Sequence, residues 1–241
     1  MISNFVKTID NELIAYNYYK SNFNTLIIVV HGWFMTKDSK PFLELSEILS
    51  KQHDVVTFDC RGHGKSSGGY TFTVDELKDL DAIVQNFKNN YKKIYIIGFS
   101  LGAALSIIYA TKSTNISKVI AVSPPTDFRK IENNILSPNA FLPTIKKCEL
   151  KTWFSIRADI LRLLFYKKIR PLDVILNLKC PILFMSGEKD PIIKDWHTKK
   201  LYDKCLSKKE YISYSKGLHA EDLFIYNKDK FIGDCFDWFN K

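Results

Sequence analysis

The pentapeptide Gly98-Phe99-Ser100-Leu101-Gly102 decides the fold predicted for this chain. The apolar run Ile94-Tyr95-Ile96-Ile97 leads into it, and a small-residue helical pattern begins at Ala103. This order is typical of a strand, a tight turn and a helix, with Ser100 at the apex. The flanking glycines let backbone segments approach closely, and Ser100 is expected to be strained. The stretch predicts either a serine hydroxyl exposed for chemistry or a serine that merely caps the helix.

The length and composition of the chain allow one large hydrophobic core. Its 241 residues are 46% hydrophobic, and α/β folds of this size commonly form one domain. We therefore expect a single domain over residues 1–241. The 35 Lys and Arg exceed the 26 Asp and Glu, which gives a formal net charge of +9. The lysines are scattered and no nucleic-acid-binding module accompanies them, so nucleic acid is not an expected partner.

The cysteines and the apolar segments favour a cytoplasmic protein. The five cysteines are odd in number and form no C-x-x-C pair, which indicates free thiols rather than a disulfide framework or a zinc site. No signal peptide is apparent, and the longest apolar stretches, such as residues 26–30, are too short to span a bilayer. We expect no stable membrane insertion, and the sequence predicts no particular oligomeric state.

Strand and helix patterns alternate along most of the chain. Two β-prone runs, residues 2–9 and 12–19, precede predicted strands at 26–30, 55–58, 94–97, 119–122, 181–185 and 210–214. Helical patterns follow Pro41 and Ser100 and cover about 74–89, 194–205 and 223–239. This alternation predicts an α/β fold with a doubly wound, mostly parallel sheet and helices on both faces. Side chains that carry chemistry should gather at the carboxyl ends of the strands.

One stretch, from about residue 124 to 178, interrupts the alternation. It is too long for a simple strand-to-helix connection, and its second half, Trp153 to Tyr166, has a helical pattern with a broad apolar face. An insertion at the carboxyl side of the strands would lie over Ser100. We therefore expect a small helical lid; a packed excursion without a gating role is the alternative.

A serine hydroxyl becomes a useful nucleophile when a base takes its proton. In enzymes with a G-x-S-x-G turn, the chain order is Ser, then Asp or Glu, then His. Of the five histidines, His219 lies in a glycine-containing loop after the last strand, where an imidazole can reach Ser100. The others fit less well: His31, His53 and His63 precede the serine, and His197 lies in a predicted surface helix and is expected to be solvated.

A carboxylate must orient the base, and Asp190 is the preferred candidate. It follows a predicted strand and the turn Gly187-Glu188-Lys189, so it projects from the same edge of the sheet as Ser100. Glu188 is the first alternative, and Asp127 and Asp195 are the others. The oxyanion formed in acyl transfer needs backbone N–H donors. We expect these from Leu101 and from Trp33, which follows the bend His31-Gly32.

The motifs that carry these residues resemble the α/β-hydrolase superfamily, appear in its order and cover nearly the whole chain. They are Val30-His31-Gly32-Trp33, Asp59-Cys60-Arg61-Gly62-His63-Gly64-Lys65-Ser66, Gly98-Phe99-Ser100-Leu101-Gly102, Gly187-Glu188-Lys189-Asp190 and the late His219. In this resemblance Arg61 and His63 are structural and brace the loop beside the site. A serine at the turn, rather than aspartate or cysteine, argues against haloalkane dehalogenase, epoxide hydrolase and dienelactone hydrolase activities. The resemblance implies a serine hydrolase of esters, thioesters or amides.

The residues and the resemblance together predict a carboxylesterase that acts on a small-molecule acyl substrate through Ser100, His219 and Asp190. No metal and no organic cofactor is expected. The alternatives within hydrolases are an acyl thioesterase, a monoacylglycerol lipase and a serine peptidase. Two further alternatives are a non-catalytic binding protein on a hydrolase scaffold and a lipid-surface enzyme that uses the basic, apolar stretch 153–168 as an interfacial helix.

Overall fold

The computed structural model describes residues 1–131 and 156–241, and an eight-stranded sheet runs through them. The strands are β1 (Ile2–Lys7), β2 (Leu13–Tyr19), β3 (Thr25–Val30), β4 (Asp54–Phe58), β5 (Lys93–Phe99), β6 (Ile116–Val122), β7 (Ile182–Gly187) and β8 (Lys209–Tyr214). Their order is β1-β2-β4-β3-β5-β6-β7-β8. The β1–β2 and β2–β4 pairs are antiparallel, and all others are parallel. The predicted doubly wound, mostly parallel sheet is confirmed.

Helices cover both faces of this sheet. They are α1 (Lys40–Leu49), α2 (Glu76–Phe87), α3 (Leu101–Ala110), α4 (Ile160–Phe165), α5 (Pro171–Val174), α6 (Asp195–Lys204), α7 (Glu221–Tyr226) and α8 (Lys228–Asn240), with 3₁₀ turns at Phe128–Lys130 and Ile175–Asn177. Apolar residues of α2, α3 and α6 share one core cluster, and those of α1, α7 and α8 share the other. The central strands β3 and β5 are buried along nearly their whole length, as expected of strands covered on both faces.

The last helical segment differs from the prediction. The pattern over 223–239 predicts one helix, whereas the structure has two, α7 and α8, which meet at Asn227. The backbone of Asn227 (φ −134°, ψ 40°) leaves the helical region, and asparagine tolerates such positions better than most residues. The break lets Phe224 and Phe231 pack against each other in the core, with ring centroids 5.8 Å apart.

The predicted insertion is described in part. The first part of the insertion includes the 3₁₀ turn at Phe128–Lys130. Residues 132–155, including Trp153, lie outside the described residues. The helical pattern in its second half is confirmed only over α4, which is shorter than the predicted segment. Residues 157–159 join the main body, because Arg157 exchanges backbone hydrogen bonds with Gly62 (2.8 Å) and Tyr70 (2.7 Å), and Asp159 N–H donates to Tyr70 O at 3.0 Å.

Candidate active site

Ser100 lies at a strained turn between β5 and α3. Its backbone has φ 52° and ψ −113°, a region that residues with a side chain rarely adopt. Its N–H donates to Val122 O at 2.8 Å, which fixes the turn against the neighbouring strand β6. A Cβ atom on Gly102 would lie 2.3 Å from Val30 O, and one on Gly98 would lie 2.4 Å from Gly102 O. Both glycines are therefore required for the backbone to bend this tightly.

The structure brings Ser100, His219 and Asp190 together at the carboxyl edge of the sheet. His219 Nε2 lies 2.9 Å from Ser100 Oγ, and His219 Nδ1 lies 2.7 Å from Asp190 Oδ2. The other oxygen of Asp190 accepts the N–H groups of Ile192 and Ile193, both at 2.8 Å. The fully buried carboxylate can therefore hold Nδ1–H, which leaves Nε2 to accept the serine proton.

The other candidate acids lie apart from this arrangement. Glu188 is exposed, and its Oε1 accepts a hydrogen bond from Ser213 Oγ at 3.0 Å. Asp127 is buried in the loop after β6, and its Oδ2 lies 3.4 Å from Arg170 Nη1. Asp195 is the first residue of α6. The geometry thus favours Asp190 as the partner of His219.

Ser123 supports the histidine loop and is a residue that the sequence analysis missed. It directly follows β6 and has φ 49°, and its Oγ accepts the N–H of Ala220 at 3.1 Å. Ala220 is itself strained, with φ 48°, and directly follows His219. Because its partner is remote in sequence, only the position of Ser123 at the end of a strand could have drawn attention to it.

Two backbone amides border the turn that carries Ser100. Gly32 packs on the turn so closely that a Cβ atom there would lie 3.3 Å from Ser100 Cβ. The next residue is Trp33, and Leu101 begins α3 on the other side. Within the part of the chain that the structure describes, neither the Trp33 N–H nor the Leu101 N–H donates a hydrogen bond. Both amides can therefore donate to a negatively charged oxygen bound beside Ser100.

His31 and its neighbours fix the loop that carries Trp33. The Nε2 atom of His31 accepts the Cys60 N–H at 3.1 Å, and Nδ1 lies 2.7 Å from Gly32 O. A neutral ring with its proton on Nδ1 satisfies both contacts, and burial lowers the pKa of His31 to about 4. His63 packs on His31 with ring centroids 5.1 Å apart, and burial lowers its pKa to about 3.

Arg61 links distant parts of the fold, in keeping with the structural role that the resemblance implies. Its Nε donates to Asp79 Oδ1 on α2 at 2.9 Å, and its Nη1 donates to Asp10 Oδ2 at 2.8 Å. The side-chain hydrogen bond from Arg61 holds the pKa of Asp10 well below its usual range. The turn between β1 and β2 is thereby tied to the loop that contacts His31.

The prediction for His197 was wrong. It is fully buried, and its Nδ1 accepts hydrogen bonds from Thr126 N–H (3.1 Å) and Thr126 Oγ1 (2.8 Å). The sequence predicted a surface helix with a solvated His197, but α6 turns His197, Thr198 and Leu201 inward. His197 therefore anchors the loop after β6 rather than facing solvent.

An aromatic cluster lies beside the Trp33 loop, and we call it the aromatic wall: Trp33, Phe34, Tyr70, Phe72 and Phe128. Trp33 stacks on Phe34 with centroids 4.4 Å apart and meets the ring of Phe72 edge-on at 4.7 Å. Phe72 in turn contacts Tyr70 at 4.9 Å and Phe128 at 6.0 Å. Because four of the five rings are partly exposed, the wall offers an apolar surface close to the candidate oxyanion donors.

One protein family matches a large part of the sequence. The sequence profile of the alpha/beta hydrolase fold matches residues 25–146, about half of the chain, and includes Trp33, Ser100 and Leu101. The chain belongs to the α/β-hydrolase fold family. The resemblance noted from its motifs is thereby confirmed.

Known proteins of this family resemble the chain at modest identity. An esterase from Pyrococcus furiosus superposes with a TM-score of 0.81 at 22% identity, over 99% of this chain and 90% of the esterase. A lysophosphatidylserine lipase from Danio rerio is 26% identical over 230 residues, which are 87% of this chain and 57% of the lipase. An alpha/beta hydrolase domain-containing protein from Arabidopsis thaliana is 26% identical over 180 residues, 70% of this chain and 54% of that protein. The chain thus spans little more than half the length of these curated relatives.

In residues 1–131 and 156–241, no group of three or more His, Cys, Asp or Glu side chains could hold a metal ion. Over the same residues, no helix has both the length and the apolar character needed to cross a membrane.

Proposed function

We propose that the chain is a serine hydrolase that cleaves carboxylic esters through Ser100, His219 and Asp190. The observation that carries the proposal is the pair of hydrogen bonds from His219 to Ser100 Oγ (2.9 Å) and to Asp190 Oδ2 (2.7 Å). Such an arrangement raises the nucleophilicity of the serine and stabilises the imidazolium that forms. The strained turn and the adjacent amides supply the remaining requirements of acyl transfer.

The proposed reaction proceeds through an acyl-enzyme. His219 Nε2 takes the proton of Ser100 as Oγ attacks the acyl carbon, and the N–H groups of Trp33 and Leu101 donate to the oxyanion. His219 then gives the proton to the departing alcohol as the carbon–oxygen ester bond breaks. A water molecule, deprotonated by His219, attacks the acyl carbon, and the carboxylic acid leaves as Ser100 regains its proton.

An apolar acyl or alkyl group is the substrate feature that the aromatic wall supports best. Its rings lie next to the proposed oxyanion donors and remain partly exposed. The similarity to a lipase that is named for lysophosphatidylserine points in the same direction. A screen of p-nitrophenyl esters of increasing chain length, acyl-CoAs, monoacylglycerols and aminoacyl amides would separate esterase, thioesterase, lipase and peptidase activities.

We further propose that residues 1–241 form a single domain in which residues 124–178 act as a lid. The described parts of this insertion, residues 156–178 in particular, contact the loops that border the aromatic wall. A cytoplasmic location remains our prediction, and it is supported by the free thiols of Cys60, Cys180, Cys205 and Cys235. A small-molecule acyl compound is the proposed partner of the site.

Covalent labelling with a fluorophosphonate probe tests the proposed chemistry. We expect one adduct per chain, located at Ser100 by peptide mass spectrometry, because only an activated serine attacks the probe rapidly. Ser100→Ala should abolish both the labelling and the turnover of p-nitrophenyl acetate while leaving the circular dichroism spectrum unchanged. A folded wild-type protein without an adduct would instead support a non-catalytic binding protein on this scaffold.

A further inference from the structure

Helix α4 exposes an unusually apolar surface for a folded protein. The exposed fractions are 66% for Ile160, 70% for Leu161, 71% for Leu164 and 78% for Phe165. Residues 160 and 164 and residues 161 and 165 are pairs four apart, so the four side chains share one side of the helix. Tyr166 extends this surface and is 55% exposed. Neighbouring exposed apolar side chains mark an interaction site more often than singly scattered ones do.

Polar contacts hold α4 in this orientation. Asp159 caps the helix by accepting the Arg162 N–H at 3.0 Å. The guanidinium of Arg162 forms a salt bridge with Asp75, which is buried at the start of α2. The helix therefore turns its cation toward the body of the protein and its large apolar side chains outward. This is the reverse of the pattern expected for a helix that packs on a core.

The exposed surface lies close to the proposed substrate entrance. Residues 157–159 pair with Gly62 and Tyr70, and Tyr70 contacts Phe72 within the aromatic wall. Phe72 in turn contacts Trp33, whose backbone amide is a proposed oxyanion donor. The apolar side of α4 and the site of Ser100 are thus joined through one continuous set of contacts.

Positive charge borders the same surface. Lys167 and Lys168 come after Tyr166, the C-cap residue of α4. Lys167 is exposed, and Lys168 Nζ lies 5.6 Å from the ring centroid of Phe72. Among the described residues near α4, Asp75 and Asp159 contact Arg162, and Asp173 contacts Arg170. The exposed Lys167 adds positive charge beside the apolar side chains. An apolar surface with a basic edge matches the acyl chains and the anionic headgroups of a phospholipid surface.

We propose that the α4 surface, formed by Ile160, Leu161, Leu164, Phe165 and Tyr166 with Lys167, docks on an anionic phospholipid surface. The apolar side chains enter the boundary between headgroups and acyl chains, and Lys167 contacts a phosphate group. Docking brings the aromatic wall next to the membrane, from which an acyl lipid can reach Ser100. This last step rests on the proposed function, whereas the docking itself does not.

Flotation of the full chain with vesicles tests the docking. The probes are vesicles of phosphatidylcholine alone and vesicles of phosphatidylcholine with phosphatidylglycerol. We expect the wild-type chain to float with the anionic vesicles and to bind the neutral ones at least about tenfold more weakly, with binding that falls as salt rises. Leu164→Glu should reduce binding to anionic vesicles at least about tenfold, because a carboxylate replaces an inserted apolar side chain.

Leu206→Glu is the matched control, since Leu206 is 78% exposed but follows α6. It should bind anionic vesicles like the wild type. Both variants should keep the circular dichroism spectrum of the wild type, which shows that they fold. Leu206→Glu should also hydrolyse p-nitrophenyl acetate at the wild-type rate, because Leu206 lies outside the proposed lid and catalytic groups. Lys167→Glu should weaken binding to anionic vesicles and leave the weak binding to neutral vesicles unchanged.

Three results would overturn the proposal: wild-type protein that stays in solution with anionic vesicles, equal losses for Leu164→Glu and Leu206→Glu, or a dimer that Leu164→Glu dissociates. The dimer would identify the surface as a contact between two copies of this chain. Ser100→Ala separates the two proposals, because it should retain flotation while losing ester hydrolysis. Failure of docking with intact ester hydrolysis would leave the proposed function standing.

Discussion

The carboxylate of Asp190 has two tasks that a neutral amide cannot combine. One oxygen accepts two backbone N–H groups, and the other faces His219 Nδ1. In Asp190→Asn the amide can keep the backbone contacts only if its NH₂ group turns toward His219. That contact favours a proton on Nε2, which then cannot accept the proton of Ser100.

We therefore expect Asp190→Asn to lower kcat for p-nitrophenyl acetate by about 10³–10⁴-fold. Glu188→Gln is the control, because Glu188 is exposed and contacts Ser213; it should retain kcat within about threefold, as surface substitutions usually do. A larger loss of kcat in Glu188→Gln than in Asp190→Asn would identify Glu188 as the acid.

The hydroxyl of Ser123 is expected to position His219 through the chain. In Ser123→Ala the N–H of Ala220 loses its acceptor, so the strained backbone next to His219 is less firmly held. We expect kcat to fall about tenfold with little change in KM, because the contact aligns the base rather than the substrate.

Ser186→Ala provides the comparison for Ser123→Ala. Ser186 is also buried, and its Oγ lies 2.8 Å from Tyr211 OH on the neighbouring strand β8. Removal of the Ser186 hydroxyl should lower the free energy of unfolding by about 1 kcal/mol without a specific effect on kcat. Equal losses of kcat in the two variants would show that Ser123 has no special role.

The main catalytic candidates could be predicted from the sequence because each follows a recognisable strand. Ser100 and Asp190 are marked by glycine-containing turns, and His219 is the one histidine in a loop after the last strand. Ser123 and His197 could not be predicted in the same way. Their partners, Ala220 and Thr126, are 97 and 71 residues away, so only the folded topology brings them together.

The packing of α3 against the end of β3 depends on the missing side chain of Gly102. A Cβ atom there would lie 2.3 Å from Val30 O and 2.5 Å from His31 O, both of which are backbone atoms that cannot rotate away. Gly102→Ala must therefore separate the helix from the strand. Because Leu101 precedes Gly102, the separation also moves a proposed oxyanion donor.

We expect Gly102→Ala to lower the free energy of unfolding by about 1–3 kcal/mol. It should also reduce kcat by about 10²-fold, since a small displacement of a catalytic group is costly. Gly233→Ala is the control, because nothing lies within 4 Å of a Cβ atom at that position in α8. It should stabilise the chain by up to about 1 kcal/mol, as alanine favours helix over glycine. Urea unfolding and steady-state kinetics measure both variants. Equal free energies of unfolding and equal kcat values in Gly102→Ala and Gly233→Ala would contradict the expected role of Gly102.

Element order was predictable, whereas some boundaries were not. Alternating apolar runs and amphipathic helices specify a parallel sheet, because each buried strand must be covered on both faces. The break at Asn227 has no strong local signal, since an apolar helical pattern continues on both sides of it. It arises because Phe224 and Phe231 must reach the same core from helices of different direction. Such a constraint belongs to the packed molecule rather than to the segment.

Stability of the whole molecule should depend on pH through its buried histidines. Burial lowers the pKa of His31 to about 4 and that of His63 to about 3, whereas an unfolded chain protonates histidine near pH 6.5. Above pH 6.5 both histidines are neutral in the folded and in the unfolded chain, so the stability that their burial contributes is then fully present. As pH falls below 6.5, the unfolded chain takes up protons that the folded chain does not, and stability declines. Asp59 opposes this trend, because burial raises its pKa to about 6 and the folded chain binds that proton first.

Comparison of the wild type with His63→Asn separates the contribution of one histidine to the pH dependence from those of the opposing groups. Asn can still donate to the carbonyl of Arg61, which lies 3.2 Å from His63 Nδ1, but it does not titrate. Between pH 6 and pH 4 we expect the free energy of unfolding of the wild type to fall more steeply than that of the variant, by about 1.4 kcal/mol per pH unit for one proton. Above pH 7.5 the two curves should be parallel, because neither the folded nor the unfolded state of either protein then binds a proton at position 63. A loss of packing in the variant would shift its curve by a constant free energy. Urea unfolding at pH 8, 6, 5 and 4 measures the difference. Parallel curves over the whole range would mean that His63 is as easily protonated in the folded protein as in the unfolded chain, which its complete burial between His31 and Tyr70 opposes.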